Sequence, residues 1–163
     1  MEGRRYMVAV DESQNSERAF RYALRQTTDK DEVLVVTTVE KKQAFPDKDG
    51  KIHQSSVEFF NQEASAAAEH LLTKYSALCK AESKTCSFAK IPILQARSAG
   101  TIGEAICSVA ETNKIDTLFL GSRGMDGFKR MMLGSVSSYC VHNCHCTTTV
   151  VKTDVVEPKK ENN

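Results

Sequence analysis

Leu118-Phe-Leu-Gly121-Ser-Arg-Gly124-Met-Asp-Gly-Phe-Lys-Arg-Met-Met-Leu-Gly134-Ser-Val-Ser-Ser138 organises the rest of the chain. Its first three residues extend an apolar run that reads as a buried strand, and Val136 to Val141 can continue as a helix. A strand therefore ends, a loop opens and a helix begins. Gly121 and Gly124 allow φ values that a Cβ would penalise and let backbone amides approach a ligand. Gly134-Ser135 opens the helix, where unpaired amides and the positive end of the dipole suit an anion, phosphate above all. Arg123, Lys129 and Arg130 outnumber the loop's one acid, Asp126. The spacing is neither GxxxxGK[ST] nor GxGxxG, so it is neither a Walker loop nor a dinucleotide fingerprint.

Outward from this loop, strands and helices alternate. Arg5 to Val10 reads as a buried strand ended by Asp11, followed by a helix with Ser16 as its expected N-cap and Ala19, Phe20, Ala23 and Leu24 on its apolar stripe. Glu32 to Val39 is rich in β-branched residues and reads as the second strand. Residues 40 to 55 turn polar around Pro46 and Asp49-Gly50 and read as a loop of lid-like placement. A long helix then begins at Ser55 or Ser56. Thr85 to Leu94 is the third strand, which Pro92 steers to an edge. A helix over Ile102 to Thr112, a strand over Ile115 to Leu120 and a final strand over Thr147 to Lys152 complete the series. Such alternation implies a parallel, doubly wound α/β sheet, in which ligands sit beyond the carboxyl ends of the strands. Residues 1–153 form one domain in this reading, and residues 154–163 read as a disordered tail.

Composition excludes several classes. The chain has 163 residues, 40% hydrophobic and 26% charged, which suits one globular domain. A net charge of +1 lacks the basic excess expected of a nucleic-acid or membrane-surface binder. No stretch approaches the roughly 18 apolar residues of a membrane span. The N-terminal Met-Glu-Gly-Arg-Arg-Tyr has no apolar core of a secretion signal, so a cytosolic protein is expected. In that compartment the six cysteines read as free thiols. Cys140, Cys144 and Cys146, interleaved with His142 and His145, have no paired C-x2-C spacing and do not read as a zinc site.

The loop does match one known pattern. Gly121-x2-Gly124-x9-Gly134-Ser135 resembles the phosphate and ribose motif of the ATP-binding universal stress proteins. The likeness extends to Val8-Ala-Val-Asp11-x-Ser13, to Ile115-Asp-x-Leu-x-Leu-Gly-Ser-Arg-Gly124, and to Gly134-Ser-Val-Ser with Cys146 and Val150-Val151. It implies a five-stranded parallel sheet of order 3-2-1-4-5, of the adenine nucleotide alpha hydrolase-like kind, with Asp11 and Gly121 in one crevice. It further implies that the adenosine end lies near Asp11 and Val39, that Gly121, Ser122 and Arg123 line the ribose side, and that Gly124, Gly134, Ser135, Val136 and Ser137 hold phosphates. The ligand would be ATP or AMP, with or without magnesium. The assembly would be a cytosolic homodimer paired through the last strand, whose ladder groups are otherwise exposed.

Two departures stand out: Gln95-Ala-Arg-Ser98 replaces the family's usual Gly-Asp step, and Cys146-Thr147 replaces its Cys-Pro. Fast phosphoryl transfer needs a base, a metal-holding acid and a cation on the transferring group. With only Asp126 and no Walker lysine in the loop, slow hydrolysis at most is expected. A stress-induced structural or interaction dimer that binds no nucleotide is the alternative; large side chains at Gly121, Gly124 or Gly134 would favour it, and none is present. A flavin or adenylate enzyme of similar fold is a further rival, against which the lack of an HIGH-like motif counts.

Overall fold

Five strands line up in parallel with the order β3-β2-β1-β4-β5 in the computed structural model, which describes residues 3–94, 99–122 and 133–152. They are β1 (Arg5–Ala9), β2 (Glu32–Lys41), β3 (Ser87–Leu94), β4 (Thr117–Gly121) and β5 (Thr147–Val151). The connecting helices are α1 (Gln14–Gln26), α2 (Gln54–Ala81), α3 (Ala99–Thr112) and α4 (Ser135–Asn143). β1 lies at the centre, pairing Met7 with Leu34 of β2 and with Leu118 of β4. The expected sheet and strand order are thus observed, and Pro92 sits on an edge strand, where a missing N–H costs no ladder bond.

Successive side chains on a strand face opposite ways, which divides the core in two. Tyr6, Val8, Val10 and Phe119 point to one face and pack with Phe20 and Leu24 of α1 and Leu72 and Tyr75 of α2. Met7, Leu118 and Leu120 point to the other and pack with Ile106 and Ala110 of α3 and Cys140 of α4. Both faces are covered, which is why these strands read as continuous apolar runs.

Several details differ from expectation. The N-cap of α1 is Ser13, whose hydroxyl accepts from Ser16 N at 3.2 Å. Ser16 lies inside the helix and is buried, its Oγ accepting the Asp11 amide at 2.8 Å. Residues 42–53 are knotted around Asp47, whose Oδ1 accepts from the amides of Asp49 and Lys51 at 2.9 and 2.8 Å. His53 Nε2 lies 2.9 Å from Asp47 Oδ2, and this contact chiefly holds the carboxyl below its ordinary range.

The cysteines depart further. Cys79 at the end of α2 is bonded to Cys86 just before β3, and Cys107 of α3 to Cys144 at the C-cap of α4. Only Cys140 and Cys146 are free thiols. The expectation of six free thiols is therefore corrected: the turn after α2 and the packing of α3 on α4 bring two pairs into bonding distance, proximities that sequence spacing did not reveal. The expected tail, residues 154–163, lies outside the described residues.

Glu17 ties the two helices of one face together, with Lys74 Nζ at 2.9 Å and Arg21 Nη2 at 3.1 Å. The Lys74 ammonium and then the Arg21 guanidinium hold its carboxyl below the ordinary 4.5. A lowered folded-state value stabilises above the unfolded value and is lost as pH falls through the folded one. Glu17→Gln should therefore cost about 0.5 to 1 kcal/mol near neutral pH, as partly exposed pairs do. In denaturant melts at successive pH values, that difference from wild type should close as the solution becomes more acid than the ordinary carboxylate range. A difference that persists there would show that the charge is not its source.

Candidate functional site at the carboxyl ends of the strands

Strand order reverses beside β1: β1 pairs with β2 on one side and β4 on the other, and the helices that follow depart to opposite faces. At such a point the chain opens a crevice. Here the crevice is a cleft of about 820 Å³, floored by Ala9, Val10, Val36, Leu120 and Gly121 and walled by α2 residues Ala64, Ala67, Ala68 and Leu71, by Ile102 and Ile106 of α3, and by the start of α4.

Asp11, Val39, Gly121, Gly134, Ser135, Val136 and Ser137 all line this cleft, although they come from four separate parts of the chain. Ser122 is not on its lining. It is buried, its amide donates to Val151 O at 3.0 Å and its carbonyl accepts from Gly134 N at 2.7 Å. Ser122 thus clamps the two ends of the loop together, joining β4, β5 and α4. Arg123 and Gly124 lie outside the described residues, as do Asp126, Lys129, Arg130 and residues 95–98.

The start of α4 is prepared for an anion. Gly134, the N-cap, has no side chain to turn back on the helix. The amides that follow have no acceptor within the helix, and they carry the positive end of the dipole. Ser135 is exposed on the cleft wall, whereas Ser137 is buried with its hydroxyl donating to Gly134 O at 2.9 Å. Ser137 therefore contributes shape and its backbone rather than a free hydroxyl.

Asp11 behaves first as a turn residue. Its Oδ1 accepts the Ser13 amide at 2.9 Å and the Ser13 hydroxyl at 2.5 Å. Its carbonyl lies 3.2 Å from the Tyr75 hydroxyl, which also lies 3.1 Å from Ser16 Oγ. Burial pushes the Tyr75 phenol up to about 12, so it remains a protonated donor. Tyr75 was not among the residues singled out by sequence for the site; as one apolar-face position among many, it gave no signal of its place beneath Asp11.

Gly121 needs a different explanation from the one first offered. It does not have positive φ, which among described glycines is found only at Gly50. Its want is space: a Cβ there would stand 2.8 Å from Asn15 C and 3.0 Å from Ser16 N, against the backbone of the first turn of α1. The described lining includes the acids Asp11, Glu12 and Glu40 and no lysine or arginine. The cationic side chains singled out by sequence all belong to residues 123–130.

These features define a doubly wound α/β protein with a ligand-sized cleft at its topological switch point. The chain belongs to the universal stress protein family, whose sequence model matches residues 3–152. Universal stress protein MJ0531 of Methanocaldococcus jannaschii is 39% identical over 62 residues, 38% of this chain and 34% of that protein. Universal stress protein Slr1101 of Synechocystis is 39% identical over 54 residues, 33% of this chain and 50% of that protein. The matched stretches thus span from a third to half of these relatives' length.

Similar solved structures cover nearly the whole chain. UspA from Lactobacillus plantarum superposes with a TM-score of 0.73 at 17% identity, covering 93% of this chain and 99% of that one. A universal stress protein family member from Arabidopsis thaliana with AMP bound gives 0.64 at 21%, covering 97% of each chain. A universal stress protein in complex with cAMP gives 0.60 at 18%, covering 93% and 98%. At these identities the likeness is one of fold.

Proposed function

We propose that the protein binds an adenine nucleotide, ATP or AMP, in this cleft and acts as a nucleotide-dependent regulatory protein of the stress response. The observation that carries the reading is the convergence of Asp11, Val39, Gly121 and the open amides of Ser135 to Ser137 on one cleft of about 820 Å³. Adenine would lie against Val39 and the apolar floor. The ribose hydroxyls would face Asp11, with Ser122 holding the loop beside them. Phosphates would rest on the first turn of α4, and Gly124 and Arg123 would complete their cradle. AMP and cAMP in two structural neighbours support an adenine ligand.

Magnesium, when present, would be held through the acids of the described lining, Asp11, Glu12 and Glu40, and would supply positive charge against the phosphates. The loop has no Walker lysine and only one acid, Asp126, so binding with slow hydrolysis at most is the expected chemistry. The protein would act in the cytosol as a homodimer through β5, an edge strand whose residues Thr148 to Val151 are only half-buried.

The rival, a structural or interaction dimer that binds no nucleotide, gains from one observation: the glycine at position 121 is accounted for by α1 alone. Calorimetry decides between the two. Magnesium ATP and AMP should each bind wild-type protein with one site per chain, and Gly134→Trp, which fills the start of α4 with an indole, should weaken binding at least tenfold while far-UV circular dichroism is unchanged. No heat with either nucleotide, and no nucleotide in the mass spectrum of freshly purified protein, would favour the rival. Light scattering that gave a monomer at micromolar concentration would remove the dimer from both.

A further inference from the structure

Away from the cleft, three sulfurs meet. The Sγ atoms of Cys107 on α3 and of Cys140 and Cys144 on α4 and its C-cap all lie within 4.8 Å of one another. Cys107 and Cys144 are bonded, with Cα atoms 4.9 Å apart, while Cys140 is a free thiol with no exposed surface. A cross-link needs two sulfurs. The third, held against their bond in an apolar wall that includes Ile106 and Ala110, has no part in it.

The cause of the convergence is a close helix crossing. Gly103 lies one turn before Cys107, and a Cβ on it would stand 2.4 Å from Tyr139 Cδ1. Without that Cβ, α4 settles onto α3 until Cys140 Sγ is 4.0 Å from Gly103 O. Cys140 and Cys144 are four apart on one helix, so they share a face. Cys107 meets them from the other helix.

We propose that, with the Cys107–Cys144 bond reduced, Cys107, Cys140 and Cys144 form a partly buried three-thiolate site for a soft d10 cation. Thiolates bind such ions at about 2.3 Å, which sets sulfurs about 4 Å apart around a common centre; the three sulfurs lie within 4.8 Å of one another, and reduction frees Cys107 and Cys144 to part from bonding distance to that spacing. Soft sulfur ligands select zinc and copper(I) over magnesium or calcium. Among the described residues no histidine or carboxylate atom joins the cluster, and His142 and His145 are exposed, so three-coordination by sulfur is expected.

The states are exclusive. A dithiol reductant delivers two electrons and two protons to the Cys107–Cys144 bond and is itself oxidised to a disulfide. A divalent cation then displaces three thiol protons and leaves a complex of net charge −1. A disulfide oxidant that takes two electrons from the Cys107 and Cys144 thiolates, and is itself reduced to two thiols, re-forms the bond, occupies two of the three donors and releases the ion.

Cadmium is the probe. Reduced, desalted full-length protein titrated anaerobically with cadmium should develop the near-ultraviolet sulfur-to-cadmium band, and the cadmium-113 resonance should report three sulfurs. Oxidised protein should show neither. Outer partners of a metal site are worth 10- to 100-fold, so Cys140→Ser, which removes a ligand and leaves the disulfide pair, should weaken binding by roughly 100-fold. Cys146→Ser and the His142→Ala, His145→Ala double variant should bind as wild type. A resonance reporting fewer than three sulfurs, equal binding by oxidised protein, or binding undiminished in Cys140→Ser would overturn the site. So would the absence of a band in reduced wild-type protein whose circular dichroism shows it folded. The cadmium resonance needs no variant, so a poorly folding Cys140→Ser leaves the test intact.

Discussion

Gly121→Ala should lower the unfolding temperature by several degrees even with no ligand added, and Gly121→Val by more. The added Cβ would meet Asn15 C at 2.8 Å and Ser16 N at 3.0 Å, both backbone atoms of α1 that no rotamer change can move aside. To relieve the overlap, α1 must slide away from β4 and disturb the packing of Phe20 and Leu24 beneath it. Overpacking of this kind costs about 1 to 3 kcal/mol, or more when backbone is involved. For a domain of this size each kcal/mol moves the midpoint by about 2 to 4 °C. Scanning calorimetry of ligand-free protein measures it. A Gly121→Ala midpoint equal to wild type would show that α1 yields freely, and the glycine would then be needed only by whatever enters the cleft.

A larger loss is expected at Tyr75. Its side chain is wholly buried, its ring meets Phe20 edge-on at 5.0 Å between centroids, and its hydroxyl reaches Asp11 O and Ser16 Oγ. Tyr75→Ala would open a cavity where α2, α1 and the end of β1 meet, at about 3 to 5 kcal/mol. Tyr75→Phe keeps the packing and removes only the donor, at about 1 kcal/mol. Denaturant unfolding of the two variants separates volume from hydrogen bonding. If Tyr75→Phe were as costly as Tyr75→Ala, the hydroxyl and not the ring would hold the two helices together. The same pair bears on the cleft: Tyr75 supports the Asp11 backbone from below, so Tyr75→Phe should weaken nucleotide binding more than its modest effect on stability would suggest.

Most of the fold was legible in order along the chain. Short β-branched runs alternating with amphipathic stretches defined the five strands and four helices, because burial on both faces of a parallel sheet leaves a local record in composition. Helix starts were less legible. Ser13 and Ser16 are both plausible caps by residue type, and the choice fell to Asp11, whose carboxylate fixes Ser13 and whose amide engages Ser16. The site was legible as a set of motif positions and not as a geometry. The loop pattern pointed to Gly121 and Gly134, yet nothing local showed that Ser122 turns inward as a clamp or that Tyr75, 64 residues from Asp11, lies beneath it.

The sequence by itself determined the alternation of strands and helices, the polar break after β2 and the glycine-bearing loop after β4, since each follows from hydrophobic period and turn chemistry within a few neighbouring residues. Tertiary structure alone decided that Gly121 answers to the backbone of α1, that Cys107 meets Cys144 across 37 residues with Cys140 beside them, and that Asp11, Val39 and the start of α4 share one cleft. These are contacts between elements far apart in the chain, and their distances are set by how closely two helices or a helix and a strand can approach.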